Sequence, residues 1–308
     1  MDEKIPENLK KRLSKDGYEK LSKTNNPALF QFIAKYIELC NPEKIFVCAD
    51  TPEDVKYLRE TALKNGEENK LATKGHTIHF DNYYDQGRDK KNTGILIPQG
   101  VNLGEAIETK DRDTGLKDIY DVLKDIMKGK ELYILFFCLG PVNSIFSIPA
   151  VQLTDSSYVA HSETLLYRPG YAEFVRQGSK ARFFKFVHSQ GELDDRKTCK
   201  NLDKRRIFID LEEDIVYSTN TQYGGNTIGL KKLAMRLAIN RGSKEGWLTE
   251  HMLVMGVHGP KKRITYFLGA FPSLCGKTST AMLDGETIVG DDIAYLRKTD
   301  GEVRAVNV

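Results

Sequence analysis

The strongest constraint on the fold of this chain is a strand, loop and helix pattern that leads to two carboxylates. The sequence reads ITYFLGAFPSLCGKTSTAML over residues 264–283 and ETIVGDDIAYL over residues 286–296. This pattern predicts a strand, a tight loop, a helix and a second strand that ends in Asp291 and Asp292. Loops of this kind direct backbone amides at phosphate oxygens where the helix begins. The sequence therefore predicts a nucleotide-phosphate site.

One position of the loop departs from the usual phosphate-loop pattern. That pattern has a glycine five positions before Gly276, where this chain has Phe271. A Gly-Lys-Thr triplet alone is also compatible with an ordinary loop that leads into a helix. The preceding strand and the acidic pair that follows favour phosphate binding, with Lys277 on the phosphates and Thr278 on a divalent cation.

A glycine-rich segment followed by two lysines precedes this loop. Residues 223–232 read YGGNTIGLKK, and apolar residues then recur at helical spacing until Arg241-Gly242. Lys231 and Lys232 therefore fall in the first turn of a predicted helix, where the helix dipole disfavours an ammonium group. Partial burial would further favour the neutral amine, which can bind a metal ion. The alternative is a pair of solvated lysines beside a glycine-rich turn.

A histidine lies in the apolar segment between these two motifs. The sequence EGWLTEHMLVMGV, residues 245–257, contains His251 and the only tryptophan of the chain. A histidine in such surroundings is usually a hydrogen-bonded core residue, and one imidazole does not make a metal site. From the residues alone, a core role and a metal-binding role for His251 both stay open.

Taken together, these segments resemble those of the GTP-dependent phosphoenolpyruvate carboxykinase family. YGGNTIGLKK, EGWLTEHMLVMGV, AFPSLCGKTSTAM and VGDDIAYL occur in the family's order and approximate spacing. Weaker similarity extends upstream through FFCLGPVNS, QLTDSSYV and FFKFVHSQG, and faintly into ELCNPEKIFVC. The resemblance covers most of the chain, with good specificity only after about residue 135.

The resemblance implies two metal-ion sites, one for manganese and one for magnesium. The manganese ligands would be Lys232, His251 and Asp292, with Asp291 beside them. This implication favours a functional role for the histidine and for the lysine. A set of imidazole, amine and carboxylate ligands is more typical of manganese than of magnesium, which prefers oxygen ligands only. Thr278 would contact the magnesium ion that accompanies the nucleotide.

The same resemblance implies the other site residues. The nucleotide-binding loop would comprise Ser273, Leu274, Cys275, Gly276, Lys277 and Thr278. Catalytic roles would fall on Lys232, Cys275 and Lys277. The substrate-binding residues would be Tyr223, Gly224, Gly225, Ser273 and Arg88. The match at Arg88 is loose, and Arg59 is the alternative. Phe271 is then no exception, because the family's loop also lacks the early glycine.

The implied reaction converts oxaloacetate and a nucleoside triphosphate into phosphoenolpyruvate, carbon dioxide and a nucleoside diphosphate, as in gluconeogenesis. A divalent metal stabilises the enolate, which then attacks the γ-phosphoryl group in line while Lys277 spreads the charge. GTP is the family's usual nucleotide, and ATP, ADP and pyrophosphate stay alternatives. Two other functions fit parts of the sequence: a different phosphate-loop small-molecule kinase, or a non-catalytic fragment or binding module.

The predicted fold class is α/β, with a mixed-sheet substrate domain over residues 1–245 and the beginning of a P-loop nucleotide domain over 246–308. Helices are predicted over 1–40, 53–65, 116–128 and 230–240, and strands over 44–49, 132–138 and 264–270, with strands dominating between 140 and 230. Family members are considerably longer than these 308 residues. We therefore expect the N-terminal half of such a protein, incomplete for turnover.

Composition agrees with a soluble enzyme. Apolar residues make up 40% and charged residues 29%, and the net charge is only +3. No nucleic-acid recognition motif and no membrane-spanning run accompanies the basic segments, so neither partner is predicted. The five cysteines are odd in number and scattered, which favours a reducing compartment without disulfides. We expect a cytoplasmic monomer whose partners are oxaloacetate or phosphoenolpyruvate and GTP or GDP.

Overall fold

The computed structural model describes residues 5–86, 89–225, 229, 234–272 and 274–308. The α-helices within these ranges are Glu7–Lys10 (α1), Lys15–Lys23 (α2), Pro27–Cys40 (α3), Pro52–Lys64 (α4), Arg112–Leu123 (α5), Ser157–Leu166 (α6), Tyr171–Gln177 (α7), Ala234–Glu245 (α8) and Lys277–Ala281 (α9). The strands of the first part of the chain are Lys44–Val47 (β1), Asn69–Lys70 (β2), Thr77–Ile78 (β3), Thr93–Ile97 (β4), Thr109–Asp111 (β5), Glu131–Leu139 (β6), Ile148–Thr154 (β7), Phe184–Ser189 (β8), Arg206–Asp210 (β9) and Ile215–Thr219 (β10). The later strands are Leu248–Glu250 (β11), Met252–His258 (β12), Ile264–Ala270 (β13), Thr287–Gly290 (β14), Ala294–Thr299 (β15) and Glu302–Asn307 (β16).

Local sequence sets the helix boundaries, as α3 shows. The Asn26 side chain accepts a hydrogen bond from the Leu29 amide at 2.9 Å, and Pro27 occupies the first helical position. The helix ends at Asn41, whose φ of 54° is left-handed. The same kind of side-chain cap begins α2, α4, α5 and α6, at Ser14, Thr51, Asp111 and Ser156. None of the described helices is both long and apolar enough to cross a membrane.

An eight-stranded mixed sheet dominates the first part of the chain, in the order β1-β6-β7-β8-β10-β9-β4-β5. Strands β7, β8 and β10 are parallel to one another. Strand β6 is antiparallel to β7, and β9 is antiparallel to β10. The predicted mixed α/β fold is confirmed. The carboxyl ends of the three parallel strands lie at one edge of the sheet, which is where α/β folds commonly place their ligands.

Both faces of this sheet are covered. Successive side chains of β6 alternate between two hydrophobic clusters because strand residues point to opposite faces in turn. Ile134 and Phe136 pack with α3 and α5 on one face, whereas Tyr133 and Leu135 pack with α4, α6 and α8 on the other. Such double burial explains why β6 is almost continuously apolar.

The later strands form two three-stranded sheets, ordered β11-β15-β16 and β13-β12-β14. The first of these sheets packs on the large sheet, because Trp247, Ile293 and Tyr295 join the cluster formed with α4, α6 and α8. The rings of Trp247 and Tyr295 meet edge to face with centroids 5.2 Å apart. Arg297 covers the Trp247 ring at 4.7 Å.

Three expected elements differ from the structure. Helix α5 begins and ends earlier than predicted, because Asp111 caps it and Lys124 leaves the helical conformation. Two helices, α6 and α7, interrupt the region where strands were expected to dominate, and α6 begins at its Ser156 cap. Helix α8 continues through Gly242 to Glu245, since the buried Gly242 packs directly against Trp247.

Candidate active site

The predicted phosphate loop lies between β13 and α9. The strand covers Ile264–Ala270, as the sequence predicts, and the short helix starts at Lys277. Gly276 adopts a left-handed φ of 86°, which glycine tolerates without a steric penalty. Leu274 has a φ of 66° and its side chain is fully exposed. Ser273 lies outside the described residues.

Phe271 has a packing role at the position where the usual pattern has glycine. Its ring packs against the small apolar cluster of Leu253, Met255 and Ala281. A Cβ on Gly269 would stand 2.8 Å from the Phe271 ring, so the loop and the strand approach each other closely here. The aromatic side chain therefore fastens the start of the loop to strand β12 and helix α9.

Asp292 joins two of the predicted site residues through one carboxylate oxygen. Its Oδ1 lies 2.6 Å from His251 Nε2 and accepts a hydrogen bond from Lys277 Nζ at 2.7 Å. Lys277 Nζ also donates to the Asp292 carbonyl at 3.3 Å. The Lys277 and Asp292 side chains are only 12% and 15% exposed, so solvent screens their ion pair little. His251 is 52% exposed and lies between β11 and β12.

Thr278 pairs with the other carboxylate of the acidic pair. Its hydroxyl donates to Asp291 Oδ2 at 2.9 Å. Asp291 directly follows β14, which the sequence predicts to end in the two carboxylates. The strand, loop and helix thus bring Lys277 and Thr278 together with both acidic residues.

The described residues hold only part of the predicted manganese site. No group of three or more His, Cys, Asp or Glu side chains that could bind a metal occurs in the described ranges. The predicted set contains a lysine instead, and Lys232 lies outside those ranges. His251 and Asp292 do meet, as Asp292 Oδ1 and His251 Nε2 are 2.6 Å apart. An imidazole nitrogen and a carboxylate oxygen fit a divalent transition metal.

The predicted substrate segment Tyr223–Gly225 forms a single 3-10 turn after β10. The carboxylate of Asp85 holds the start of this turn: it accepts the Thr221 hydroxyl at 2.5 Å and the amides of Gln222 and Tyr223 at 2.7 and 3.2 Å. Asp85 is 1% exposed. A buried carboxylate with several donors of this kind rigidifies the backbone that it contacts.

A buried histidine supports the other side of the turn. His188 Nε2 lies 2.7 Å from the Thr221 carbonyl, and its Nδ1 lies 2.7 Å from the Thr154 hydroxyl. Burial lowers the pKa of His188 below its ordinary value of 6.5, and the neutral ring can donate to the carbonyl and accept from the hydroxyl. Gly225 lies against this ring, and its carbonyl accepts from Gln152 Nε2 at 2.8 Å.

Of the two candidate substrate arginines, the structure describes Arg59 and not Arg88. Arg88 lies outside the described residues, although both of its flanking segments are described. Arg59 lies on α4 and donates to the Gly75 carbonyl at 2.6 Å. Within the described ranges, no hydrogen bond or ion pair joins Arg59 to the Tyr223–Gly225 turn.

The cysteine of the loop differs from the other four. Cys275 is exposed, whereas Cys40, Cys48, Cys138 and Cys199 are buried. Burial raises the pKa of the Cys48 thiol to about 12 and that of Cys138 to about 11. Burial also raises the pKa values of Cys40 and Cys199. Only the loop cysteine is therefore accessible to reagents in the folded protein, among the residues described.

Sequence reasoning missed the residues beneath the Tyr223–Gly225 turn. Three residues contact this turn: Asp85, Gln152 and His188. Gln152 lies in QLTDSSYV and His188 in FFKFVHSQG, which resemble the family, whereas Asp85 lies in neither segment. Asp85 precedes Arg88 by three positions, and this proximity was the one available signal for it.

Two family models and several curated relatives match this chain. Residues 31–243 match the phosphoenolpyruvate carboxykinase N-terminal domain, and residues 247–308 match the phosphoenolpyruvate carboxykinase C-terminal P-loop domain. A protein of Pyrococcus abyssi is 63% identical over 302 residues, and one of Thermococcus sibiricus is 61% identical over 300. These alignments cover 98% and 97% of this chain but 49% and 48% of the relatives.

A distant relative matches over a similar part of its length. The protein of Chlamydia trachomatis is 33% identical over 304 residues, covering 93% of this chain and 51% of that relative. All three are named phosphoenolpyruvate carboxykinase [GTP]. The chain thus spans about half the length of the curated relatives it matches. With one domain match alone covering residues 31–243, the chain belongs to the phosphoenolpyruvate carboxykinase family.

Proposed function

We propose that this chain carries the substrate, metal and phosphate-binding residues of a GTP-dependent phosphoenolpyruvate carboxykinase. The observation that carries the proposal is the meeting of His251, Lys277 and Asp292. These residues come from three separate segments, and the family resemblance implies a shared site for them. The contact between Thr278 and Asp291 beside them supports the same conclusion.

Each described residue has a role that its contacts support. Lys277 supplies the positive charge for the transferring phosphoryl group, and Asp292 holds its ammonium group next to the loop. The amides around Gly276 and the Thr278 hydroxyl face the phosphates in this proposal. Leu274 and Cys275 complete the loop, and both are exposed. Excluding bulk water from these charges strengthens their interaction with the phosphoryl group.

The substrate half of the site rests on the Tyr223–Gly225 turn. We place the oxaloacetate carboxylate against this turn, with Gly224 and Gly225 allowing a close backbone approach. A Cβ on Gly224 would stand 2.7 Å from Ser218 Oγ and 2.8 Å from Thr221 Cγ2, so a side chain there would force these buried groups to shift. Arg88 and Ser273 would complete the substrate contacts.

The donor set fits a divalent metal. Lys232, His251 and Asp292 would hold it, and we propose manganese at this position and magnesium with the nucleotide at Thr278. When bound, the manganese ion would stabilise negative charge on the enolate oxygen. The family resemblance further supports a cytoplasmic monomer that acts in gluconeogenesis and a division into residues 1–245 and 246–308.

Manganese binding by this chain tests the metal assignment. We expect electron paramagnetic resonance to show bound Mn²⁺ in the wild-type chain and its loss in His251→Ala, because a ligand is removed. His258→Ala is a matched control, since His258 ends β12, the strand that directly follows His251, and contacts Thr287 Oγ1 instead, at 2.8 Å. Equal manganese affinity in folded His251→Ala and His258→Ala would contradict the assignment.

A second assay separates this function from a different phosphate-loop kinase. A carboxykinase site should accelerate decarboxylation of oxaloacetate in the presence of Mn²⁺, and His251→Ala should not. A small-molecule kinase is not expected to accelerate decarboxylation of oxaloacetate. Oxaloacetate decarboxylation no faster than with free Mn²⁺, in protein shown to bind the metal, would favour the kinase.

A further inference from the structure

Asp85 links two parts of the chain that the proposed function assigns to one ligand. It lies in the segment that leads to Arg88, yet its side chain contacts Thr221, Gln222 and Tyr223. These contacts span more than 130 positions of sequence and are fully buried on the Asp85 side. The Thr221 hydroxyl in turn accepts the Gly224 amide at 2.9 Å. One carboxylate therefore fixes the backbone of the substrate turn through three donors.

Arg205 secures Asp85 and the other flank of the same segment. Its Nη1 donates to Asp85 Oδ1 at 3.1 Å and to the Asp85 carbonyl at 2.9 Å. Its Nε and Nη2 donate to Asp89 Oδ2 at 3.2 and 3.1 Å. Asp89 then accepts both the backbone and the side-chain amide of Asn92. The guanidinium thus ties together the segments on both sides of residues 87–88.

The charges in this cluster make it costly to disturb. The Arg205 and Asp85 side chains are 8% and 0% exposed, so removing Arg205 would leave the buried Asp85 carboxylate without its ionic partner, and removing Asp85 would leave Arg205 paired with Asp89 alone. The planar guanidinium serves two carboxylates at once, which a lysine could not reproduce. Such an arrangement fixes geometry more than it adds stability.

We propose that Asp85, held by Arg205, is a positioning residue that fixes the Tyr223–Gly225 turn for binding the substrate carboxylate. This inference rests on the proposed function, which assigns the turn to the substrate. Asp85 itself contacts no substrate in the proposal. Its effect on substrate binding passes through the amides of Gln222 and Tyr223.

The test compares Asp85→Asn with Asp118→Asn. Asp118 pairs with the adjacent arginine, Arg206, at 2.6 Å, and so provides the same change of charge beside the cluster. We expect Asp85→Asn to weaken phosphoenolpyruvate binding, measured by calorimetry with Mn²⁺ present, by at least about tenfold. Manganese affinity should change less than about twofold, because His251 and Asp292 are not in the cluster. Asp118→Asn should leave both affinities unchanged.

Thr221 variants keep the test decisive if Asp85→Asn does not fold. Thr221→Val removes one donor to Asp85 and should weaken phosphoenolpyruvate binding, whereas Thr221→Ser retains the hydroxyl and should restore it. Equal phosphoenolpyruvate affinity in Thr221→Val and Thr221→Ser would overturn the proposal. Parallel loss of manganese and phosphoenolpyruvate affinity in the Asp85 variant would also overturn it, since that result indicates general damage.

A local measurement distinguishes failure of this inference from failure of the proposed function. Hydrogen exchange at the Gln222 and Tyr223 amides should accelerate about tenfold or more in Asp85→Asn and not in Asp118→Asn. If the wild-type chain bound neither Mn²⁺ nor phosphoenolpyruvate, the proposed function would fail. If the wild type bound both and Asp85→Asn accelerated exchange without weakening phosphoenolpyruvate binding, the positioning role alone would fail.

Discussion

Replacing Gly225 by alanine tests the packing beneath the Tyr223–Gly225 turn. A methyl group at this position would stand 2.5 Å from Cε1 and 2.8 Å from Cδ2 of His188, and it would also overlap Nε2. Carbon atoms in contact normally lie about 3.5–4.0 Å apart. Either the imidazole or the turn must therefore move in Gly225→Ala.

The surroundings of His188 set the size of the effect. The ring is fully buried and is held by Thr154 Oγ1 and by the Thr221 carbonyl, each at 2.7 Å. Overpacking a core costs about 1–3 kcal/mol, and weakening a buried hydrogen bond costs about 1 kcal/mol. We expect Gly225→Ala to lose about 2–4 kcal/mol of unfolding free energy in total.

Urea unfolding followed by the fluorescence of Trp247 measures this loss, since it is the only tryptophan and is buried in the core. Gly259→Ala is the control, because the nearest atoms to its new methyl would be the flexible Arg263 guanidinium at 3.2 Å. A double variant with His188→Ala should lose less than the sum of the two single changes, as the methyl then has room. A loss below about 0.5 kcal/mol in Gly225→Ala, the usual scatter of surface changes, would refute the packing argument.

Four further outcomes follow from the charges and exposures. Burial lowers the pKa of His188, so its neutral form contributes stability above pH 6.5 that is lost as pH falls. The difference in unfolding free energy between the wild type and His188→Gln, measured by urea unfolding, should therefore become smaller from pH 8 to pH 5. Burial raises the pKa of Glu163, whose carboxyl oxygens have no hydrogen-bond partner in the described structure, so the stability of the fold is lost as pH rises through that raised pKa. Glu163→Met should therefore gain about 1–3 kcal/mol of unfolding free energy at pH 8 and less at pH 5. A loss of unfolding free energy at both pH values would contradict this. Native alkylation followed by mass spectrometry should label Cys275 before any other cysteine, with nucleotide protecting it. Triphosphates should bind weakly and without base preference, because the proposed function gives Lys277 and Thr278 contacts with the phosphates only. Equilibrium dialysis showing a clear preference for GTP over ATP would contradict this.

The sequence predicted the structure around the loop between β13 and α9 better than the support of the Tyr223–Gly225 turn, for a physical reason. The strand Ile264–Ala270, the helix start at Lys277 and the strand before Asp291 depend on neighbours in sequence, so their pattern is visible locally. The support of the turn depends on Asp85 and His188, which reach it from distant segments. No local periodicity records such contacts. The predicted roles of Lys232 and Arg88 stay predictions, since both lie outside the described residues.

The acidic pair Asp291 and Asp292 shows what the sequence pattern predicts and what only the structure adds. The sequence pattern alone places Asp291 and Asp292 together at the site, and only the family resemblance assigns Asp292, rather than Asp291, to the manganese site with His251. Asp291 and Asp292 lie in the bend between β14 and β15. The structure gives them different partners: Asp291 accepts the Thr278 hydroxyl, and Asp292 meets Lys277 and His251. Because the two carboxylates serve different partners, their asparagine variants should separate two functions, with Asp292→Asn losing manganese and Asp291→Asn retaining it.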